Sequence, residues 1–543
     1  MLSTEHRTPP AAPSRGVELI LTGGVVRTLE PGSAATQAIA IRNGRVAAVG
    51  PARQIAGLRG PRTEVVDLKG RTVIPGFADA HVHLGSYART RQQANLELAA
   101  TLEQGIEVVR AAAAALPEGA WLEGRGWDRN RWGRLPRAAD LDAVLSHRPA
   151  ALRSHDGHSV WLNSLALERI RERIDADPRG KRAERDQRGQ PTGVLFEDAQ
   201  QLLEGVLPEP SVRELAQAIA QALPSLAAAG IVGVHNFEGS LALRALTALR
   251  ESGVLTLRVY QGIAHHELST VAESGTGTGA GDEWLRLGPV KLYADGALGS
   301  RTAALLAPYE GRSDGYRGEL LLDREQLVRD ITSAANGGLG VAVHAIGDHA
   351  VRTVLDAIEQ VRADVPAAAE IPLRIEHAQL VDPSDVPRFA ALDVIASMQP
   401  LHAVADWRAA DEHWGDRSRH AYAWRALLEA GATVAFGTDA PVERIEPLAS
   451  LHAAVTRQEA GGKPEGGWHP EQRVTLNEAI RAYTLGTAEA EWKAGERGTL
   501  ALGKAADLVV LSADPFRLAS PDEILQLTVE MTVSNGHVVH GLD

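Results

Sequence analysis

Two rhythms of apolar and polar positions divide this chain, one through its middle and another at its two ends. Through the middle, short apolar runs recur ahead of stretches whose apolar positions repeat at helical spacing. The runs are IVGVHNF (231–237), LTLRVYQGI (255–263), PVKLYADG (289–296), VAVHAIGD (341–348), LRIEHAQL (373–380), VIASMQP (394–400) and TVAFGTDAP (433–441). Among the intervening stretches, LALRALTALRES (241–252), REQLVRDITSAANG (324–337) and AVRTVLDAIEQVRAD (350–364) read as helices. A doubly buried strand followed by a helix is the mark of a parallel βαβ unit. With TVIPGFADAHVH (72–83) counted first, the strands number eight. That predicts an α/β fold, a (β/α)8 TIM-type barrel with its chemistry at the C-terminal strand ends.

The chain ends read differently. VELILTGGVVRTL, AIAIRNGRVAAVG and TEVVDLKG are β-branched and broken by turns such as Asn43-Gly44, and the same texture returns at 498–514 and 527–543 around Asn535-Gly536. A small β-sandwich built from both termini (17–70 plus 496–543) is expected to flank a barrel over 71–495. The connection from about 84 to 230 is too long for one crossover and holds both strand-like and helical pieces, so it is expected to be an inserted lid subdomain over the barrel mouth. SGTGTGAG (274–281) reads as a loop, because no Lys-Ser/Thr pair follows to make a phosphate cradle. Residues 1–16 are polar and Pro-rich and read as a flexible tail without a secretion signal.

Composition narrows the chemistry. The 543 residues include no cysteine, which excludes disulfides, thiolate nucleophiles and Cys-ligated zinc. A net charge of −13 argues against general nucleic-acid or anionic-membrane binding. No apolar window approaches a membrane span, so a cytoplasmic enzyme acting on a small molecule is expected.

Polar residues interrupt the apolar runs at telling places. His81 and His83 close the first strand, two apart and hence on one face. Lys291 lies in the fourth strand, while His344, His377 and Asp439 end the fifth, sixth and eighth. Singly, each has an ordinary structural reading; six on one rim point to a metal centre.

At these residues the chain resembles the metal-dependent amidohydrolase superfamily. IPGFADAHVH, VKLYADGALGSRTAAL, VAVHAIGD, RIEHAQL, FGTDAP and GTLALGKAADLVVL carry the resemblance in the expected order. DGALGSRTAAL and DGHSVWLNSLAL are most similar to amidohydrolase family 3, the branch that includes N-substituted formamide deformylase. The resemblance implies His81, His83 and Asp439 around one divalent ion and His344 and His377 around a second, most simply Zn²⁺. It also implies a carbamylated Lys291 bridging the two. A metal-bridging hydroxide would attack a non-peptide C–N bond (amide, formamide or cyclic amide), with Asp439 as general base and then acid. It further implies a homodimer as the expected assembly.

Weaker candidates surround this set. Asp295 and Arg301 follow the fourth strand, and Arg301 reads either as a clamp for a substrate carboxylate or as half of an internal ion pair. Asp348 reads as a helix cap or as an orienting residue. In the insert, Arg153, His155, His158, Trp161 and Asn163 form a polar and aromatic run, and Trp121, Trp127 and Trp132 add to it. His158 and Trp127 are the expected substrate contacts there. Two alternatives stay open. A mononuclear deaminase-like enzyme is disfavoured because His344-Ala-Ile-Gly-Asp348 lacks the Glu typical of that branch. A non-catalytic scaffold would have kept the fold without the ligands.

Overall fold

The eight apolar runs contribute the strands of one parallel sheet, but the first, 72–83, is divided, with Phe77–Val82 in this sheet and Thr72–Pro75 in another. In chain order they are β1 (Phe77–Val82), β2 (Ile231–Asn236), β3 (Arg258–Ala264), β4 (Leu285–Tyr293), β5 (Val341–Ala345), β6 (Leu373–His377), β7 (Val394–Met398) and β8 (Val434–Phe436). Each pairs in parallel with the next. The two edges of the sheet meet, as Asp439 N–H donates to His81 O (2.7 Å) and His83 N–H to Ala440 O (2.8 Å). Every position of β2, β6, β7 and β8 is buried, as a TIM-type barrel demands of strands covered on both faces. β4 starts earlier than the apolar pattern suggests. Its ladder to β3 slips from Gln261↔Leu287 to Ile263↔Val290, accommodating Gly288 and Pro289, a residue with no N–H to donate.

This computed structural model describes residues 16–114, 116, 119–155 and 158–541. The expected tail, Gly16 apart, lies outside the described residues, as do Asp156 and Gly157 of the DGHS motif. The chain forms two compact units, one of residues 1–85 with 220–543 and the other of Ser86–Ile219. No helix among the described residues is long and apolar enough to cross a membrane.

Caps as well as periodicity set the barrel helices. Asp323 Oδ1 accepts from Gln326 N–H (2.8 Å) and Gln326 Oε1 from Asp323 N–H (2.9 Å), opening the helix Arg324–Asn336. Its Leu327, Ile331 and Ala334 stripe is buried.

In the same unit, the chain ends form two further sheets. One runs in the order Arg45–Gly50, Ala38–Arg42, Leu19–Thr22, Glu64–Asp67; the other runs Val25–Val26, Thr72–Pro75, Leu508–Leu511, Val529–Ser534, His537–His540. Ile39 and Ile41 of the first share one apolar cluster with Val73, Val510 and Val533 of the second. Asn43-Gly44 (φ +51° and +71°) and Asn535-Gly536 (φ +48° and +78°) make tight turns with two successive positive φ values. These turns touch: a Cβ on Gly44 would lie 2.8 Å from Asn535 O.

The unit Ser86–Ile219 has its own six-stranded sheet and core. Trp127, expected at a substrate, is instead a core residue. It is 1 % exposed, its indole N–H donates to Leu152 O (2.7 Å), and its ring lies 6.3 Å from Trp132 and 6.5 Å from Trp161. Asn163 caps the helix Ser164–Ala176 by accepting from Ala166 N–H. His158 is exposed, with Nδ1 3.1 Å from Glu197, and His155 Nδ1 lies 2.6 Å from Glu97.

Replacing Gly44 by Ala is expected to destabilise the protein by about 1–3 kcal/mol, because it adds a clash to left-handed strain. Gly32→Ala, at φ +72° with nothing within 4 Å, should cost only the backbone penalty of about 1 kcal/mol. Denaturant midpoints measure both, and equal shifts would overturn the turn-to-turn contact.

Candidate metal centre

The C-terminal ends of β1, β4, β5, β6 and β8 bring the six ligand candidates into one cleft of about 870 Å³. His83 Nε2 lies 3.3 Å and His81 Nε2 3.6 Å from Asp439 Oδ1. The His377 ring centre is 4.9 Å from that of His81 and 4.6 Å from that of His344. Lys291 is buried on β4, its Nζ 3.4 Å from His81 Nε2 and over the faces of Phe237 and Tyr293 at 4.8 and 5.3 Å.

Second partners fix how each imidazole presents itself. His81 Nδ1 lies 2.6 Å from Glu376 Oε2, His377 Nδ1 2.9 Å from Gln399 Oε1, and His344 Nε2 2.9 Å from Gly296 O. All three partner oxygens accept, so each ring donates there and keeps the lone pair on its other nitrogen. Burial, then the Lys291 charge, lowers His81 to about 3 and His344 to about 4, so both are neutral at physiological pH. Burial followed by the His344 charge puts His377 well below its ordinary value. Burial pushes the Asp439 carboxyl up, but His81, His83, His377 and His402 together hold it well below the usual range. Burial brings Lys291 down to about 8, against the pull of Glu376 and Asp439. Neutral imidazoles around an ionised carboxylate make a nitrogen and oxygen donor set that suits a divalent ion. His81, His83 and Asp439 form one group able to hold such an ion, and His377, His402 and Asp439 form another.

Four buried residues that the sequence pattern does not single out complete the site. Glu376 and Arg374, alternate residues of β6, form a pair with no exposed surface, and Glu376 also binds His81. His402, in the first turn of the helix Pro400–Trp414, stacks on His377 (6.2 Å, 14° between planes). Its Nε2 is 4.0 Å from Asp439 Oδ2, and neither ring nitrogen has a hydrogen-bond partner among the described residues. Asp79 accepts from His81 N–H, Thr438 N–H and Thr438 Oγ1–H, tying β1 to the segment after β8.

Asp295 and Arg301, expected to touch substrate, are engaged elsewhere. Asp295 is buried and accepts from the N–H groups of Ala304, Ile346 and Gly347 at 2.9–3.0 Å, which makes it an anchor for two loops. The Arg301 guanidinium lies 3.1 Å from Glu412 and 3.2 Å from His413, its ion-pair reading. Asp348 begins the helix Asp348–Asp364 and accepts from Leu306 N–H (2.8 Å).

Comparison with known proteins places the chain in a family. A family model described as the amidohydrolase family matches residues 64–540. YtcJ of Bacillus subtilis, named as an amidohydrolase, is 31 % identical over 96 % of this chain and 99 % of its own. N-substituted formamide deformylase of Arthrobacter pascens is 28 % identical over 96 % of this chain and 97 % of its own. The crystal structure of an uncharacterized metal-dependent hydrolase of Pyrococcus furiosus superposes with a TM-score of 0.77 at 31 % identity, covering 92 % of this chain and 100 % of that one.

Glu376→Gln is expected to weaken divalent-metal affinity about 10–100-fold, because His81 loses its charged orienting partner. Equilibrium dialysis with elemental analysis measures it, and unchanged affinity would rule out that role.

Proposed function

Since the chain belongs to the amidohydrolase family, we propose that it hydrolyses a C–N bond other than a peptide bond in a small molecule, an acylated amine or formamide above all. The observation that supports this most is the convergence of neutral imidazoles, each with one nitrogen held by an acceptor, on the ionised Asp439.

In this reading His81, His83 and Asp439 hold one divalent ion and His344 and His377 a second, both most simply Zn²⁺. When bound, such ions supply Lewis acidity that makes water nucleophilic at neutral pH. Lys291 has the burial needed to react as a neutral amine with CO₂: an N–C bond forms, a proton leaves, and a repelled cation becomes a carboxylate able to bridge. Asp439 accepts the proton of the attacking water and passes it to the nitrogen as the C–N bond breaks, so acid and amine leave in balance. Asp79, holding both the His81 N–H and Thr438, keeps the Asp439 carboxylate in register with His81. The two terminal sheets belong to the same reading as layers of a small sandwich.

Asp439→Asn is expected to lower kcat/KM on an N-formyl amine by about 10²–10⁴-fold, measured by amine release. A smaller loss would assign proton transfer to another group. Bicarbonate-stimulated metal uptake should rise with pH and level off above about 8, where Lys291 is neutral. Elemental analysis near pH 6 and pH 9 checks this, and Lys291→Ala should show no such stimulation. Pickup indifferent to bicarbonate would remove the carbamate.

A further inference from the structure

One wall of the cleft is polar. After β6 comes Gln379, 4 % exposed, whose Oε1 has no hydrogen-bond partner among the described residues. After β7 come His402, 6 % exposed, neither of whose ring nitrogens has a hydrogen-bond partner among the described residues, and Asp406, one helical turn further on. After β8 comes half-buried Glu443, with no hydrogen bond or ion pair among the described residues. Asp406 receives one hydrogen bond, from Tyr422 Oη (3.0 Å), and neighbouring Arg444 is turned to Glu446 at 3.4 Å. Burial pushes both the Asp406 and Glu443 carboxyls up, as happens to acids lacking a cationic partner. Apolar side chains, Leu298, Ile346 and Val442, also line the cleft. Lys291 is the only lysine or arginine among the described residues lining the cleft.

A cleft lined by two carboxylates as well as apolar side chains is complementary to a ligand with a hydrocarbon body and an N–H-rich cationic end. An alkylammonium, with three donors and a positive charge, has that chemistry. Position decides which half of a substrate it holds. Asp439 must reach the leaving nitrogen, and the wall starts at His402, 4.0 Å from Asp439.

We propose that Gln379, His402, Asp406 and Glu443 form a subsite for a protonated amine, and that the substrates are N-acyl amines whose amine half carries a second, charged nitrogen. The substrate class rests on the hydrolytic reading above; the subsite can be tested without it.

Two probe pairs test this on the metal-loaded full chain. By calorimetry, pentylamine should bind at least about tenfold more tightly than 1-pentanol, a difference of about 1.4 kcal/mol. Glu443→Gln and Asp406→Asn should each erase most of that difference, and Glu446→Gln, outside the cleft, should keep it. In turnover, N-formyl-1,5-diaminopentane should exceed neutral N-formylpentylamine at least about tenfold in kcat/KM, with the loss in Glu443→Gln falling mainly on KM. Equal binding of amine and alcohol, or variants with wild-type affinity for pentylamine, would overturn the subsite. So would a fall in metal content in the two wall variants, which would make the wall a further metal site. Equal turnover of both formamides would overturn the substrate class while leaving the hydrolytic reading intact. Wall-dependent amine binding with neither formamide cleaved would uphold the subsite and remove that substrate class.

Discussion

Arg374 and Glu376 place opposite charges 2.5 Å apart in the barrel interior, where neither has any exposed surface. Removing two ions from water costs several kcal/mol each, and only tight geometry with further hydrogen bonds offsets it. The arginine supplies them by donating to Ala80 O, Ser397 Oγ and His235 Nδ1, each at 2.7 Å, so that from β6 it reaches β1, β7 and β2. The other oxygen of Glu376 accepts from both His81 Nδ1 and Arg374 Nη2. Barrel closure and the orientation of His81 therefore share one set of contacts. If Arg374 were lost, the carboxylate beneath His81 would be stranded and the imidazole's presentation would fail with it.

Backbone strain accumulates around the same point. His377 (φ +73°) and Asp439 (φ +57°) both sit in the left-handed region, which costs side-chain-bearing residues about 1–3 kcal/mol each. In a regular strand His377 would point away from the face of its neighbour Glu376; the left-handed turn breaks that alternation. Asp439 is held by its N–H bond to His81 O and by the Asp79–Thr438 tie. Stability given up at these two residues is recovered from the contacts that enforce them.

What could be read along the chain follows from how local each signal is. β6 and β7 announce themselves because residues buried on both faces leave unbroken apolar runs, and His81, His344 and His377 stand out by ending such runs. The Arg374/Glu376 alternation is visible in LRIEH, but its meaning lies with His81, 295 residues away, and no local pattern carries that. His402 escapes for another reason: it stands in the first turn of a helix, where a histidine is unremarkable until the fold stacks it on His377. The tryptophans of the insert show the reverse error. Aromatic density marks either a binding surface or a core, and only burial tells Trp127 from a substrate contact.

The strand Thr72–Pro75, joined to β1 by Gly76 alone, pairs along its length with Leu508–Leu511. On a ribosome those partners emerge far apart in time, so the strand Thr72–Pro75 must wait for that partner while the intervening chain is made. Asp79 and Thr438 are 359 residues apart and wait in the same way. Assembly of the trio His81, His83 and Asp439 is thus a late event in translation. A growing chain presents His81 and His83 without Asp439, so their finished geometry cannot form until the last barrel strand has been made.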